Sequence, residues 1–519
     1  MKRIIYSGFS NEYRFVIDYL SRESGWEPVL IHGPERIREW AKINYAKAVY
    51  FEGMRLRSAQ FDYSLLGGAP VPVDAKIISA LAKYEAFACS LMEDTTGWNF
   101  SFDERRRYYL ELLKFCNTII QHLKPDIFVS WTMPHAIVEY VLYQMCNYYN
   151  IPVLYINPSP LFNHQKNAYY HINISLEDQS EIFKDVYDSN KDYELGRDVR
   201  EYFKFARSKE VTMPPTASHF FNNIRQYWNP GFWNNLVQLV KMSFKGQLFE
   251  KLAYASWKDN HHPFDSFKCR MNFFQYTLFL ERLRLDDALV GRIYSKLVTP
   301  ADLNRKYVYF AAPKQPEAGI WTVYQDQLLI LDLLSSSIPD DWIIYYKEHP
   351  GQFIPGGKGS LARNEHFYEK ISMYKNVRMI PLESSTFDLI DSAQAVVTPS
   401  GTVGWEAVVR GRPVMIFGSA WYQGCKSIMR IETREDCLRA IERIKNGYKP
   451  DQVDIERFAA AVERLSKKNI LHGDFVYEKI KACPDPKMEM ERIAQAIEEA
   501  HERHFVKEYE YAVDGSKKY

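Results

Sequence analysis

The 519-residue sequence has few cysteines, no long apolar run and no excess of charge of either sign. Its seven cysteines are scattered and form no CxxC pair, which excludes the usual signatures of a zinc ribbon or a disulfide framework. No stretch approaches the roughly 18 uninterrupted apolar residues that a membrane span needs. The 66 basic and 65 acidic residues leave a net charge of +1, so no global field favours nucleic acid. These absences are typical of a protein of the reducing cytoplasm that does not bind nucleic acid.

Two regions of the chain alternate strand and helix patterns, and the length is too great for one ordinary core. The candidate strands of the first region are Arg3–Ser7, Pro28–His32, Ala48–Phe51, Asp126–Trp131 and Pro152–Ile156. Those of the second region are Tyr307–Ala311, Trp342–Tyr346, Val377–Ile380, Ala395–Thr398 and Pro413–Phe417. Helical patterns separate them at His135–Tyr149, Val323–Ser335, Thr386–Ser392 and Val403–Arg410. Because strand, helix and strand in succession form a βαβ unit, the sequence predicts an α/β fold with two Rossmann-like domains facing each other across a cleft.

The alternation stops in the middle of the chain and again near its end. We predict an N-terminal Rossmann-like domain over residues 1–164 and a helical insertion or extension over 165–300. A C-terminal Rossmann-like domain follows over 301–480, and a C-terminal helix and tail over 481–519. Within the middle, residues 221–258 carry five basic residues and one acid among aromatic side chains. This pattern is typical of a helix on an anionic membrane, or equally of a helix that packs on the core.

Two loops at predicted strand ends carry groups suited to a phosphate. The turn Ser400-Gly401-Thr402 follows one strand and opens a helix, whose free N–H groups and dipole favour an anion. An ordinary helix N-cap is the alternative. Glu406, about one turn further on, could accept the ribose hydroxyls of a nucleotide or simply favour the helix dipole.

His349 follows another strand, with Pro350 restraining its backbone. Its imidazole could donate to a phosphate or protonate a leaving phosphate, although a lone histidine is often structural. Lys347, Lys358 and Arg363 are the nearby candidates for binding a phosphate or a carboxylate.

Further polar residues follow other strands. Glu317 lies on the loop after Tyr307–Ala311, where a carboxylate could act as base, nucleophile or sugar ligand, or could simply be solvated. In the first region, His135 and Ser159 follow strands and could touch an acceptor, with helix capping as the alternative.

Four motifs, in this order, resemble the capsule polysaccharide biosynthesis family, which includes bacterial Kdo transferases. They are Gln315-Pro316-Glu317-Ala318, Lys347-Glu348-His349-Pro350, Ser400-Gly401-Thr402-Val403-Gly404-Trp405-Glu406-Ala407 and Gly411-Arg412-Pro413-Val414. The resemblance implies a fold of the GT-B type and donors that are CMP-activated ulosonic or nonulosonic acids. It also implies that His349 and Ser400 bind the CMP phosphate with support from Thr402, that Glu406 contacts the nucleotide, and that Glu317 lies near the cleft.

We therefore expect a glycosyltransferase that moves Kdo or a nonulosonic acid from its CMP ester to a bacterial surface glycan. It would need neither a cofactor nor a metal, since no acidic DxD-like cluster follows a strand. Glu317 and His349 are the expected catalytic residues, and the expected location is the cytoplasm, at the inner face of the membrane if 221–258 bind lipid. Two alternatives stay open: a GT-B enzyme that uses a UDP- or GDP-sugar, as a transferase or 2-epimerase, and a non-catalytic glycan-assembly subunit. The oligomeric state also stays open.

Overall fold

The computed structural model describes residues 1–8, 11–53, 56, 61–96, 101–159, 161, 169–189, 192–208, 273–315, 323–355, 357–468 and 485–506, without the side chains of 93–96 and 273–281. The described chain divides into two compact units. The first is formed by Met1–Leu176 and by the chain from Arg464 onward, and the second lies between Glu177 and Glu463. Glu317 and the basic aromatic stretch 221–258 lie outside the described residues.

The described strands are β1 (Lys2–Ser7), β2 (Trp26–Gly33), β3 (Val49–Glu52), β4 (Ile127–Ser130), β5 (Val153–Pro158), β6 (Tyr169–Asn173), β7 (Tyr307–Ala311), β8 (Ile343–Lys347), β9 (Val377–Met379), β10 (Ala395–Thr398), β11 (Val414–Ile416), β12 (Ile428–Arg430) and β13 (Lys467–Lys468). The described α-helices are α1 (Tyr13–Glu23), α2 (Arg38–Asn44), α3 (Ala75–Thr96), α4 (Phe102–Leu123), α5 (Ile137–Tyr148), α6 (Lys184–Ser189), α7 (Arg197–Ala206), α8 (Phe273–Leu297), α9 (Gln327–Ser335), α10 (Glu365–Met373), α11 (Thr386–Ser392), α12 (Thr402–Val409), α13 (Arg434–Lys445), α14 (Gln452–Leu465) and α15 (Pro486–His501). No helix among these residues is both long enough and apolar enough to span a bilayer.

The first unit is built on a seven-stranded sheet of order β13-β6-β5-β4-β1-β2-β3. Strands β1 to β5 pair in parallel, whereas β6 is antiparallel to β5 and β13 is antiparallel to β6. The central strands are apolar on both faces because helices cover both sides of a parallel sheet. All four residues of β4, for example, are buried.

Helix α15 belongs to the first unit although it lies at the other end of the sequence. Its apolar residues Met490, Ile493 and Ile497 are fully buried and share one core cluster with Tyr13 and Val16 of α1. The compact units therefore differ from the predicted boundaries, which made 481–519 a separate region. The reason is that the apolar face of α15 packs into the core of the first sheet. The described residues just before α15 in the sequence are not part of this core cluster.

The second unit is built on a six-stranded parallel sheet of order β12-β11-β10-β7-β8-β9. The chain runs from β7 to β8 and β9 on one side, and then returns to β10 on the other side of β7. The strand order thus reverses between β7 and β10. In open parallel sheets such a point leaves a crevice at the carboxyl ends of the strands, where ligands bind.

The predicted α/β fold is confirmed in two Rossmann-like units, each built on a largely parallel sheet. The predicted strands and helices recur with shifts of a few residues at most, and β6, β12 and β13 were not predicted. In the described part of the middle region, α6, α7 and α8 are helical as expected, whereas β6 extends the first sheet. The cleft between the two units stays a prediction.

Candidate functional site

Two loops at the carboxyl edge of the second sheet carry predicted phosphate-binding groups, and a third loop, which carries Lys314, lies between them. Lys314 lies on the loop after β7, His349 on the loop after β8, and Ser400 on the loop after β10. The strands β10, β7 and β8 are neighbours in the sheet. The structure therefore brings these loops to the switch point of the second unit.

The turn before α12 is shaped to present backbone N–H groups. Helix α12 begins at Thr402, and its N-cap residue is Gly401, so within the described residues no side chain caps it. The backbone N–H of Gly401 donates to the hydroxyl of Thr398 (3.1 Å), and Tyr422 Oη donates to the carbonyl of Gly401 (2.6 Å). A Cβ at position 401 would lie 2.8 Å from Thr398 Oγ1, so the tight turn requires glycine. The ordinary capping alternative is thus not realised, and the first N–H groups of α12 remain suited to an anion.

His349 is held as a neutral hydrogen-bond donor. It caps the short 3₁₀ turn Pro350–Phe353, and its Nδ1 accepts the backbone N–H of Gly351 at 3.0 Å. Because Nδ1 is the acceptor, the ring proton of the neutral imidazole is on Nε2. Burial, assisted by the charges of Lys314 and Lys347, lowers the pKa of His349 to about 4. This protonation state favours the predicted role as a donor to phosphate over that as a proton source.

Lys347 is buried at the end of β8. Its ammonium donates to the carbonyl of Ser384 (2.5 Å) and to Thr386 Oγ1 (3.2 Å). Burial lowers its pKa to about 8, against an opposing effect of Glu383. Lys347 therefore supplies positive charge from beneath the edge of the sheet, where its side chain is only 3% exposed.

The structure corrects the prediction that Arg363 binds a ligand anion. Its Nε donates to Glu348 Oε1 at 2.6 Å and its Nη2 to Gln327 Oε1 at 2.7 Å, and the guanidinium stacks on Phe367. Both side chains of the ion pair are buried, at 4% and 0% exposure. A guanidinium engaged in this way is committed to the core. The other loop candidate, Lys358, has a left-handed backbone, and its N–H donates to Asp287 Oδ2 (3.2 Å).

Glu348 is the centre of a buried network directly before His349. Its Oε1 accepts the hydroxyls of Tyr346 (2.7 Å) and Tyr368 (3.0 Å) in addition to the guanidinium of Arg363. Its backbone N–H donates to Tyr294 Oη at 3.2 Å. The network fixes the backbone from which His349 projects.

Glu406 is a half-buried carboxylate in the second turn of α12. Burial raises its pKa to about 7, which Arg410 opposes only in part. Its charge in turn raises the pKa of the tyrosines Tyr202, Tyr309 and Tyr422 around it. Since α12 has no acid in its first turn, the alternative that Glu406 merely complements the helix dipole is weak.

The loop after β7 is joined to the His349 loop by the side-chain amide of Gln352, a residue that was not predicted to belong to the site. The side chain of Gln352 accepts the backbone N–H of Gln315 and donates to its carbonyl, both at 2.7 Å. It also donates to the carbonyl of Gly359 at 3.1 Å. Gln352 is fully buried, so the loop after β7 and the two ends of the loop after β8 share one internal clamp.

In the first unit the predicted acceptor-side residues lie apart from any such cluster. His135 is exposed and its Nδ1 lies 2.7 Å from the carbonyl of Met133. Ser159 is 1% exposed and its hydroxyl bonds to that of Ser466 (3.0 Å), which corrects its prediction as an acceptor contact. His135 does not cap α5, whose N-cap is Ala136.

A buried polar cluster that was not predicted lies at the carboxyl edge of the first sheet. Ser7 Oγ and His32 Nδ1, at the ends of β1 and β2, are 2.9 Å apart. His32 Nδ1 lies 3.6 Å from the carboxylate of Glu139, in the first turn of α5. The sequence offered no signal for it because the three residues are far apart in the chain.

A cavity of about 500 Å³ opens at the opposite, amino edge of the second sheet. Arg207, Arg410 and Arg412 line it, together with Asp391. Their guanidinium groups already donate to carbonyls at the ends of helices, for example Arg410 to Ala206 and Ser208 (3.1 Å for the latter). The arginines thus satisfy helix C-termini, and this cavity is not the candidate site.

Within the described ranges, no group of three or more histidines, cysteines or acids is arranged to hold a metal ion. The binding groups found at the carboxyl edge of the second sheet are instead N–H, hydroxyl, imidazole and ammonium donors, which suit an anion.

Residues 321–426 match the model of a family described as capsule polysaccharide biosynthesis protein, which confirms the predicted resemblance over this part of the chain. No curated protein matches the chain. Among solved structures, KpsC, a beta Kdo 2,7 transferase of Thermosulfurimonas dismutans, aligns at 12% identity over 73% of this chain and 89% of its own, with a TM-score of 0.29. A UDP-GlcNAc 2-epimerase from Methanocaldococcus jannaschii aligns at 12% identity over 89% of this chain and all (100%) of its own, with a TM-score of 0.23. TM-scores this low do not establish a shared topology.

Proposed function

We propose that the protein is a glycosyltransferase that moves an acidic sugar, Kdo or a nonulosonic acid, from its CMP ester to a bacterial surface glycan. One observation supports this most directly: His349 and the uncapped turn at Ser400–Thr402 lie at the switch-point edge of the second sheet. Both are inside the residues that match the capsule polysaccharide biosynthesis family.

The geometry suggests how the leaving phosphate would be held. The free N–H groups of α12, the hydroxyls of Ser400 and Thr402, and the Nε2–H of His349 are donors that can stabilise the charge on departing CMP. Lys347 adds positive charge from below. A leaving monophosphate held by these donors does not require a divalent cation, so we propose a metal-independent reaction without a cofactor.

Two carboxylates would complete the site. Glu406, near the start of α12, would accept the ribose hydroxyls when ionised. Glu317, carried over from the family motif, would activate the acceptor hydroxyl, or attack the sugar carbon if the configuration is retained. The enzyme would work in the cytoplasm, with its glycan acceptor at the inner face of the membrane.

The test is thermal stabilisation of the full chain by CMP, UMP, UDP, GDP and dTDP. A ligand at 100 times its Kd adds about 2.7 kcal/mol to the stability of the unit that binds it. For a unit of this size, the expected rise in Tm is about 5–10 °C. We expect it with CMP, and we expect His349→Ala to abolish it while His366→Ala, an exposed histidine on α10 with 70% side-chain exposure, retains it.

Each other outcome contradicts a part of the proposal. Stabilisation by UDP or GDP in place of CMP would indicate a transferase or 2-epimerase for those sugars. No stabilisation by any nucleotide would indicate a non-catalytic glycan-assembly subunit. Equal loss of the CMP effect in His349→Ala and His366→Ala would show that the first substitution acts through folding.

A further inference from the structure

Lys314 is a cation of the candidate site that has no role in the function described so far. It lies three residues after β7, on the loop between those of His349 and Ser400. Its side chain is half-buried and makes no hydrogen bond or ion pair with any residue that the structure describes. A half-exposed ammonium with no counterion among the described residues is available to an anionic ligand.

The position of Lys314 is fixed by its neighbours. Gln352 binds both the N–H and the carbonyl of Gln315 (2.7 Å each), and Gln327 Nε2 donates to the carbonyl of Pro313 (3.3 Å). The loop is therefore held on both sides of Lys314. Such a clamp is what a binding residue on a loop needs in order to keep its geometry.

The charge of Lys314 reaches the phosphate site. Burial is the main cause that lowers the pKa of His349, and the charges of Lys314 and Lys347 act in the same direction, which places Lys314 within electrostatic range of His349. The ammonium of Lys347 faces a carbonyl and a hydroxyl, and the acid that acts on it, Glu383, is exposed. The two lysines, His349 and the start of α12 thus form an edge with more positive than negative groups.

The proposed donor has two anionic groups on one carbon. In a CMP-activated 2-ulosonic acid, the phosphate ester and the sugar carboxylate are both attached to C2. A site for such a donor needs a second cationic contact directly beside the phosphate contacts. Arg363 is engaged in the core and Lys347 is bonded below the edge. Among the described residues, Lys314 is a half-exposed cation on the loop between those of His349 and Ser400.

We infer that Lys314 binds the carboxylate of the donor sugar, next to the phosphate held by His349 and the start of α12. This inference rests on the proposed function and makes it more specific, because it names the residue by which an acidic sugar is preferred to a neutral one. The interaction is a charge-assisted hydrogen bond between an ammonium and a carboxylate.

The experiment compares three ligands by calorimetric titration of the full chain without acceptor: CMP, a CMP-activated nonulosonic acid, and the methyl ester of that acid. For the unsubstituted protein we expect the acid to bind at least about 10-fold more tightly than its ester, the size of one charge-assisted hydrogen bond. Lys314→Met should reduce this preference to about 2-fold or less and weaken CMP by a smaller factor than it weakens the acid. Lys314→Arg, which keeps the charge, should retain most of the preference.

The matched control is Lys306→Met, which removes an exposed lysine at the opposite end of β7, where it pairs with Asp341. It should change none of the three affinities. If Lys314→Met weakens CMP, acid and ester equally, Lys314 contacts the phosphate and the inference is wrong; it is equally wrong if all three affinities are unchanged. If the unsubstituted protein binds neither CMP nor the acid, the proposed function fails, and the inference fails with it.

Discussion

Removing the guanidinium of Arg363 should destabilise the second unit by about 3–5 kcal/mol, the usual cost of breaking a buried ion pair. The side chains of Arg363 and Glu348 are 4% and 0% exposed, and their Nε–Oε1 distance is 2.6 Å. In Arg363→Met, the carboxylate of Glu348 would stay buried with only the hydroxyls of Tyr346 and Tyr368 as donors. The cost therefore comes from the unpaired charge.

Replacing both partners should recover most of this loss. The double variant Glu348→Leu, Arg363→Met removes both charges of this ion pair. Tyr346 keeps the amide oxygen of Gln327 as an acceptor at 3.1 Å, whereas Tyr368 loses the acceptor it has in Glu348. One buried hydroxyl without a partner costs about 1–3 kcal/mol, so the double variant should be more stable than the single variant Arg363→Met.

Native-state hydrogen exchange is the appropriate assay, because it reports the stability of each unit separately in a chain that has two. The amides of β8 should lose protection in Arg363→Met, and those of β1 in the first unit should not. The control Lys306→Met breaks an ion pair whose side chains are 61% and 59% exposed, and it should change stability by less than about 1 kcal/mol.

The reasoning would be refuted if Arg363→Met cost no more stability than this control, or if the costs of the two single substitutions simply added in the double variant.

A functional measurement separates the structural role of Arg363 from the ligand-binding role predicted from the sequence. The folded double variant should keep its preference for the acidic donor over the methyl ester. Loss of that preference with an intact fold would make Arg363 a ligand after all.

Two further predictions concern the start of α12. The pKa of Glu406 is about 7 in the folded protein and near 4.5 in the unfolded chain. The wild-type protein should therefore lose stability relative to Glu406→Gln as the pH rises from about 4.5 to 7, and the difference should then level off. Thermal melts across this pH range test the sign of the effect. Tyr422→Phe removes the 2.6 Å bond to the carbonyl of Gly401, which should cost about 1 kcal/mol and weaken CMP binding severalfold, measured by titration calorimetry. Unchanged CMP affinity in Tyr422→Phe would show that the turn keeps its shape without this bond.

Five strands of the second sheet were predictable from sequence because each is a short apolar run with polar ends, whereas β12 was not predicted. The bounds of β7 and β10 agree to the residue with the predicted Tyr307–Ala311 and Ala395–Thr398, and α11 agrees with Thr386–Ser392. The pairing of β13 with β6 was not predictable. Two lysines form no recognisable pattern, and their partner strand lies almost three hundred residues earlier in the chain.

The loops of the candidate site were predictable for the same reason, since the residue that follows an apolar strand lies at the ligand edge of a parallel sheet. The roles of their charged side chains were not. Arg363 has the composition of an anion ligand, and only the tertiary structure shows that Glu348 and Gln327 already occupy it. Lys314 showed no signal of its own, because its proposed role depends on the lack of a hydrogen-bond or ion-pair partner among the described residues, which only the folded structure reveals.

The second unit separates two kinds of charge at one edge of its sheet. The ion pair of Glu348 and Arg363 is buried, and the bond from the backbone N–H of Glu348 to Tyr294 Oη fixes the chain directly before His349. Lys314 and the start of α12 are incomplete, since each presents donors without an acceptor among the described residues. Paired buried charges hold the shape of the site, whereas a half-exposed ammonium without a partner among the described residues can bind an opposite charge that the ligand supplies. A donor with two adjacent anions is the ligand that would complete both incomplete groups at once.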